Sequence, residues 1–270
     1  GGVEVGQGLS TKAAQAAAHE LGIPIDHVKV SDTDTSKIPF NTVTGGSGTS
    51  EATAMAVRDA ARALAASLAP YLAAAGGFSG AVRAAMRDGV QLSATGWWDN
   101  PVKEDQYSTC GVAVSEVEVD VLTGEVQVRA TDILMDLGVA MNPAVDIGQL
   151  EGGFVMALGY LLSEEVQFDA EGQPLSLGTW HYKIPSAFDI PLRFNVRLAG
   201  AANPSGVYGS KASAEPPMSL VSSVYFAIKE ALYSARSEAG QHGWFELPTP
   251  MTVQTIQSLG LAAPDGFALR

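Results

Sequence analysis

The chain has 270 residues, a formal net charge of −13, and 46% apolar against 17% charged residues. That length supports one large domain or two lobes with real cores, and the composition is that of a packed globule rather than a disordered chain. The acidity argues against a nucleic-acid or anionic-membrane surface, and the longest apolar run, 153–162, is far too short to span a bilayer. A single cysteine, Cys110, excludes an internal disulfide and any cysteine-ligated cluster. With no secretory pattern at the start, a reducing, cytoplasmic location is expected.

Gly1–Val5 reads as a strand entering the turn Gly6-Gln7-Gly8-Leu9. It starts as if inside a fold, so an apolar edge needing a further segment or a partner is expected. Ser10 is a good cap for a helix over 11–21, which Gly22 stops. The alternation at 27–30 predicts a short strand, and a polar loop with Asp32 and Asp34 as caps follows. After Gly45-Gly46-Ser47-Gly48-Thr49-Ser50 comes a long alanine-rich helix over 52–75, with Pro70 a candidate interruption, and a short helix over 81–87. The polar and aromatic stretch 96–108 is a candidate join between lobes 1–95 and 109–270.

Residues 110–121 alternate strongly, turn at Leu122-Thr123-Gly124-Glu125, and return over 126–137, which predicts a β-hairpin. Asn142-Pro143 opens a helix running to Leu162. Strands are expected at 165–168 and 194–198, an apolar helix at 217–235, and a last helix from Thr249-Pro250 to near Gly260. Strands and helices mix without strict βαβ alternation, so the fold class is α+β, with two lobes.

The most constrained acid is Glu215, in Lys211-Ala212-Ser213-Ala214-Glu215-Pro216-Pro217. A residue before proline is pushed out of the helical region, so an extended Glu215 just before a helix is expected. It is either an aimed carboxylate or a solvated junction residue. Gly45–Ser50 offers backbone N–H groups and hydroxyls before a helix, suited to phosphate, or it is a plain turn. The P-loop lysine is missing, because Thr49 and Ser50 follow Gly48. Gln7 and Gln149 are amides beside glycines, able to donate and accept at once or simply to start helices. Lys211 could meet a phosphate, Glu215 or solvent. The four histidines show no metal spacing, and the serines lack a nucleophile elbow.

Taken in order, these pieces resemble the xanthine dehydrogenase / aldehyde oxidase family of molybdenum hydroxylases. They are Gly6–Leu9 with Thr11-Lys12, Thr44–Thr49, Val112–Gly124, Asp132–Asp136, Asn142–Gly152, Tyr182–Pro185 and Gly209–Pro217. The likeness covers nearly the whole chain and points to the C-terminal part of the molybdopterin-binding domain. It implies a molybdenum–molybdopterin cofactor whose dithiolene, not the protein, holds the metal. It implies Glu215 as catalytic base, and Gln7, Gly8, Thr44, Gly45, Gly46, Ser47, Gly48, Thr49 and Gln149 as cofactor-binding residues, with the Gly46 backbone near molybdenum.

The implied activity is oxidation of a purine, hypoxanthine or xanthine, with water as oxygen source. An aldehyde oxidase-type hydroxylase and a non-catalytic assembly module are the alternatives. FAD and 2Fe–2S groups are expected on other domains or subunits, and the full enzyme is expected to be a dimer. The isolated chain is expected to be inactive. Two positions depart from the family: Ala214 stands where glycine precedes the base, and Gly46 stands where alanine is common. A left-handed backbone at Ala214 would cost about 1 kcal/mol, and the altered loop implies a looser grip.

Overall fold

A computed structural model describes every residue except 32, 39–42, 74–75, 100–106 and 262–270. The cap expected at Asp32 and much of the expected join at 96–108 fall outside the described residues. The chain forms two compact units. Unit 1 is built from Gly1–Ser108, Gly138–Asp146 and Ala201–Ala212; unit 2 comprises Thr109–Leu137, Ile147–Gly200 and the chain from Ser213 onward. The chain therefore returns to unit 1 twice after first leaving it.

Unit 1 is helical. It contains α1 (Leu9–Leu21), a 3-10 turn at Ile25–His27, α2 (Thr49–Leu72), α3 (Phe78–Arg87) and a 3-10 turn at Val207–Gly209. Alanines let α1 and α2 approach closely: Ala16, Ala54, Met55 and Val207 form a small core, backed by Val57, Trp98, Met141 and Tyr208. Several expectations are corrected. Val3–Val5 is loop rather than strand, and 28–30 is extended coil after a 3-10 turn. Neither segment has a sheet to join, since the three-stranded sheet of the described residues lies in unit 2. α2 also runs through Pro70 to Leu72. Only the last turn follows the proline, so few backbone bonds are at stake.

Ser10 lies inside α1 and does not cap it, since the N-cap is Gly8 at φ 72°. The cap is Glu4 instead. Its carboxylate accepts the N–H of Gly6 (3.1 Å), Gly8 (2.9 Å) and Ser10 (2.9 Å). An acid there also complements the positive end of the helix dipole. Gly22 closes the helix in the left-handed region, as expected.

Unit 2 holds the sheet. β1 (Gly111–Val119) pairs antiparallel with β2 (Val126–Asp136), in register Gly111↔Met135 to Val119↔Val126, with a bulge at Glu116/Val117. Asp120 accepts the N–H of Leu122 and Thr123 to form the turn, and Gly124 takes φ 77°. The chain then passes through α4 (Pro143–Leu162) to β3 (Arg193–Ala199), which pairs parallel to β2 from Ala130↔Arg193 to Asp136↔Ala199.

The apolar period of α4 buries Leu150, Phe154, Ala157, Leu158 and Leu161 against Ile133 and Met135 of β2. Val224, Ile228 and Leu232 of α5 (Ser222–Glu238) and Ile256 of α6 (Val253–Leu259) complete that core. Each of the larger side chains contributes about 1.5–3 kcal/mol by leaving water, and Ala157 less. The strand expected at 165–168 is a single bridge, Phe168↔Pro174, around the turn made by Asp169. The helix expected at 217–235 is two elements, a 3-10 turn Pro216–Val221 followed by α5. Three helices and a mixed sheet in unit 2, with a helical unit 1, make the chain α+β.

Candidate functional site

Unit 1 brings the Gln7 turn and the glycine loop together. Val3 N–H donates to the Thr44 hydroxyl at 2.9 Å, and the Thr53 hydroxyl donates to Gly1 C=O at 3.1 Å. A Cβ added to Gly2 would lie 2.5 Å from the Thr49 methyl, so only glycine permits this approach. Gly8 is equally confined, since its Cβ would meet Val145 at 2.9 Å. The Gln7 amide is partly used within its own turn: its Oε1 accepts Val5 N–H (2.7 Å) and its Nε2 donates to Val3 C=O (2.7 Å). One amide hydrogen and one lone pair remain for a ligand.

The loop itself is left-handed at Gly46 (φ 64°) and Ser47 (φ 52°). It delivers the chain to the N-terminus of α2, whose first N–H groups have no intrahelical partner. No heavy atom lies within 4 Å of a Cβ built on Gly45 or Gly46, so the loop backbone borders open space. The Thr44 hydroxyl keeps its proton for donation.

A buried ion pair underlies these loops. Lys12 Nζ lies 3.1 Å from Asp146 Oδ1, with the two side chains only 8% and 7% exposed. Beside it, Asn142 donates to Gln15 Oε1 at 3.1 Å and its own Oδ1 accepts Val145 N–H at 3.3 Å, opening α4. The Glu4 carboxyl is shifted by burial, which raises it. The N–H groups of Ser10, Gly6, Gly8 and Leu9 outweigh that effect and hold it below the usual range.

Unit 2 carries Gln149 and Glu215. Glu215 has φ −81° and ψ −33°, so it is helical, not extended as expected before a proline. Its C=O accepts Met218 N–H at 3.0 Å, and this tight turn offsets the local steric preference. Pro216 and Pro217 occupy the first positions of the turn, where their missing N–H groups cost nothing. Ala214 has no positive φ, so alanine carries no left-handed strain there. The carboxylate is exposed, while Ser213 and Pro217 on either side are buried.

Gly153 of α4 makes room for this segment. Its Cβ would lie 2.5 Å from the Ala214 C=O and 3.0 Å from the Pro217 ring. Gln149 sits one turn earlier, so it shares the α4 face that meets residues 214–217. Sequence reasoning missed Glu4, the Lys12–Asp146 pair, Gly153 and a partly buried acid at Glu51. Lys12 left a trace: with Leu9 and Ala16 it falls on the i, i+3, i+7 stripe that α1 buries.

Residues 1–191 match the family profile described as the molybdopterin cofactor-binding domain. The chain belongs to that family. The molybdopterin-binding domain is 44% identical to a xanthine dehydrogenase of Drosophila pseudoobscura pseudoobscura over 99% of its length, covering 21% of that protein. It is 42% identical to the xanthine dehydrogenase of Oryza sativa subsp. japonica over 95% of the chain (20% of that protein). The figure for Dictyostelium discoideum xanthine dehydrogenase is 38%, over 100% of the chain and 21% of that protein. The domain thus spans about a fifth of the length of these relatives.

Among solved structures, the domain superposes on CO dehydrogenase from Oligotropha carboxidovorans with a TM-score of 0.78 at 21% identity, covering 96% of this chain and 34% of that one. For aldehyde oxidoreductase from Desulfovibrio gigas the TM-score is 0.70 at 22% identity, over 95% and 28% of the two chains. These likenesses establish the fold. The residues present fit a pterin cofactor: open glycine backbone at a helix start, hydroxyls at Thr44 and Thr49, and an amide in Gln7 with capacity left. Among the described residues no cluster of three His, Cys, Asp or Glu side chains could hold a metal, and no helix is long and apolar enough to cross a membrane.

Proposed function

We propose that this chain is the molybdopterin-binding portion of a xanthine dehydrogenase-like hydroxylase that oxidises a purine with water as oxygen source. The observation that carries this reading is its likeness to xanthine dehydrogenases of insects, plants and a slime mould, at 38–44% identity along nearly the whole chain. In this reading the bound molybdopterin supplies the two-electron redox chemistry. The glycine loop Gly45–Gly48 and the Thr44, Ser47 and Thr49 hydroxyls hold it, with Gln7, Gly8 and Gln149 contributing. The Gly46 backbone would approach the metal.

Glu215 is the base. An exposed carboxylate beside paired prolines can be presented to a ligand without backbone rearrangement, and its oxygen takes the proton released as water becomes the attacking group. Enclosure by the rest of the enzyme would strengthen that basicity, since desolvation disfavours the charged carboxylate. FAD and 2Fe–2S modules elsewhere in the enzyme would take up the electrons. The working enzyme is a cytoplasmic dimer, and the domain alone is inactive.

The test is to purify the full-length protein, measure its molybdenum and pterin, and assay hypoxanthine and xanthine against aldehydes. Stoichiometric cofactor with purine turnover supports the reading. Aldehyde turnover alone would reassign the substrate, and cofactor-free protein that cannot be reconstituted would remove the enzymatic role.

A further inference from the structure

Glu4 and Gln7 hold each other in a reciprocal clasp just before α1. The Glu4 carboxylate takes the N–H groups on both sides of Gln7: its Oε1 accepts from Gly6 at 3.1 Å and from Gly8 at 2.9 Å. The Gln7 amide takes the backbone on both sides of Glu4: Val5 N–H donates to its Oε1 and its Nε2 donates to Val3 C=O, each at 2.7 Å. The second Glu4 oxygen, Oε2, accepts Ser10 N–H at 2.9 Å, one of the donors that a helix start leaves without an intrahelical partner.

Gly6 and Gly8 lie at φ 106° and 72°, and N–H groups in such left-handed turns converge on a single anionic acceptor. A carboxylate suits that place because it only accepts, whereas an amide would bring a donor of its own. Its bonds to the N–H groups are charge-assisted, and so stronger than neutral ones. The clasp also orients the Gln7 amide. Exchanging its oxygen and nitrogen would set donor against Val5 N–H and acceptor against Val3 C=O.

The clasp is tied to the glycine loop through Val3. The Val3 C=O accepts from the Gln7 amide, and the Val3 N–H donates to the Thr44 hydroxyl at 2.9 Å. We infer that Glu4 is a positioning residue for the cofactor: by gathering the Gly6 and Gly8 N–H groups it fixes the turn that carries Gln7, and so which amide atoms Gln7 presents to molybdopterin. The inference rests on the reading of Gln7 as a cofactor contact. All of these residues belong to unit 1, and none is part of its apolar core of Ala16, Ala54, Met55 and Val207.

The experiment compares Glu4→Ala, Glu4→Gln, Gln7→Ala and the double variant Glu4→Ala/Gln7→Ala with the native full-length protein. It reads amide hydrogen exchange at Gly6, Gly8 and Ser10, and the rate at which molybdenum is lost on dialysis. Glu4→Ala is expected to speed exchange at all three amides, and molybdenum loss with them, about tenfold, the worth of a hydrogen bond to a charged group. Glu4→Gln keeps one oxygen for Gly6 and Gly8 but sets a donor against Ser10 N–H, so only Ser10 should exchange faster, with molybdenum loss within about twofold of native. Gln7→Ala should lose molybdenum as fast as Glu4→Ala, and the double variant no faster than either, because Glu4 acts through Gln7. A general loosening of unit 1 would make the two effects add. Additive losses, unchanged exchange at Gly6 and Gly8 in Glu4→Ala, or native molybdenum retention in Glu4→Ala while Gln7→Ala loses the metal would each overturn the inference. Native retention in Gln7→Ala would sink the reading beneath it and leave the exchange comparison standing.

Discussion

Removing one partner of the Lys12–Asp146 pair should be among the most damaging single changes in unit 1. The two atoms are 3.1 Å apart and both side chains are more than nine-tenths buried. At an effective dielectric constant near 20, their attraction is about 5 kcal/mol, and each ion loses several kcal/mol of hydration on burial. The intact pair is therefore close to balanced. A lone survivor keeps its desolvation cost without the attraction, so Lys12→Ala or Asp146→Ala should cost about 3–5 kcal/mol. That is a large part of the stability of a typical domain, about 5–15 kcal/mol. The double variant Lys12→Met/Asp146→Leu should recover most of the loss, because no ion is left buried. Urea unfolding of the native protein, both single variants and the double variant gives the coupling directly. Raising salt to 0.5 M should not change the single-variant losses, since screening reaches buried charges poorly. Losses below about 1 kcal/mol, the range of exposed pairs, would refute the argument.

Gly153→Ala should destabilise unit 2 by about 1–3 kcal/mol and displace the Glu215 turn, because its Cβ meets a backbone oxygen at 2.5 Å that cannot swing away; thermal unfolding checks the first effect and kcat the second. Glu51 is held above the usual carboxylate range by burial, so its contribution to stability is full below the unfolded value, about pH 4.3, and is lost as pH rises through the folded value. Glu51→Gln should therefore be more stable than native protein at pH 7, with the difference closing at pH 4; urea midpoints at the two pH values test the sign. Glu20 behaves oppositely. Arg62 and Tyr208 hold its carboxyl low, so its contribution is present at neutral pH, is lost as pH falls through its folded value, and should vanish in Glu20→Gln.

Elements with a long, clean period were legible in the sequence. The β1–β2 hairpin and α4 each repeat an apolar residue at the spacing of their own geometry, and the core uses those positions. Short segments were not. Val3–Val5 alternates like a strand, yet strand pairing is decided by a neighbour that period cannot reveal. At Glu215 the local rule for residues before proline predicted extended backbone, and the Met218 N–H bond to its C=O prevailed.

The same limit applies to the candidate site. Glycine loops and glutamines stand out locally, whereas Lys12 meets Asp146 from far along the chain, which no single-sequence pattern encodes. Gly153 looked like one more glycine in Gly152-Gly153 until the Ala214 carbonyl was placed against it.

The central claim is that this domain supplies the base to a molybdopterin-dependent hydroxylation. The most direct measurement is purine turnover and molybdenum content of Glu215→Gln in the full-length protein. The account predicts unchanged molybdenum with kcat reduced by about 10²–10⁴, the usual contribution of a general base. Turnover near the native rate with cofactor in place would contradict it.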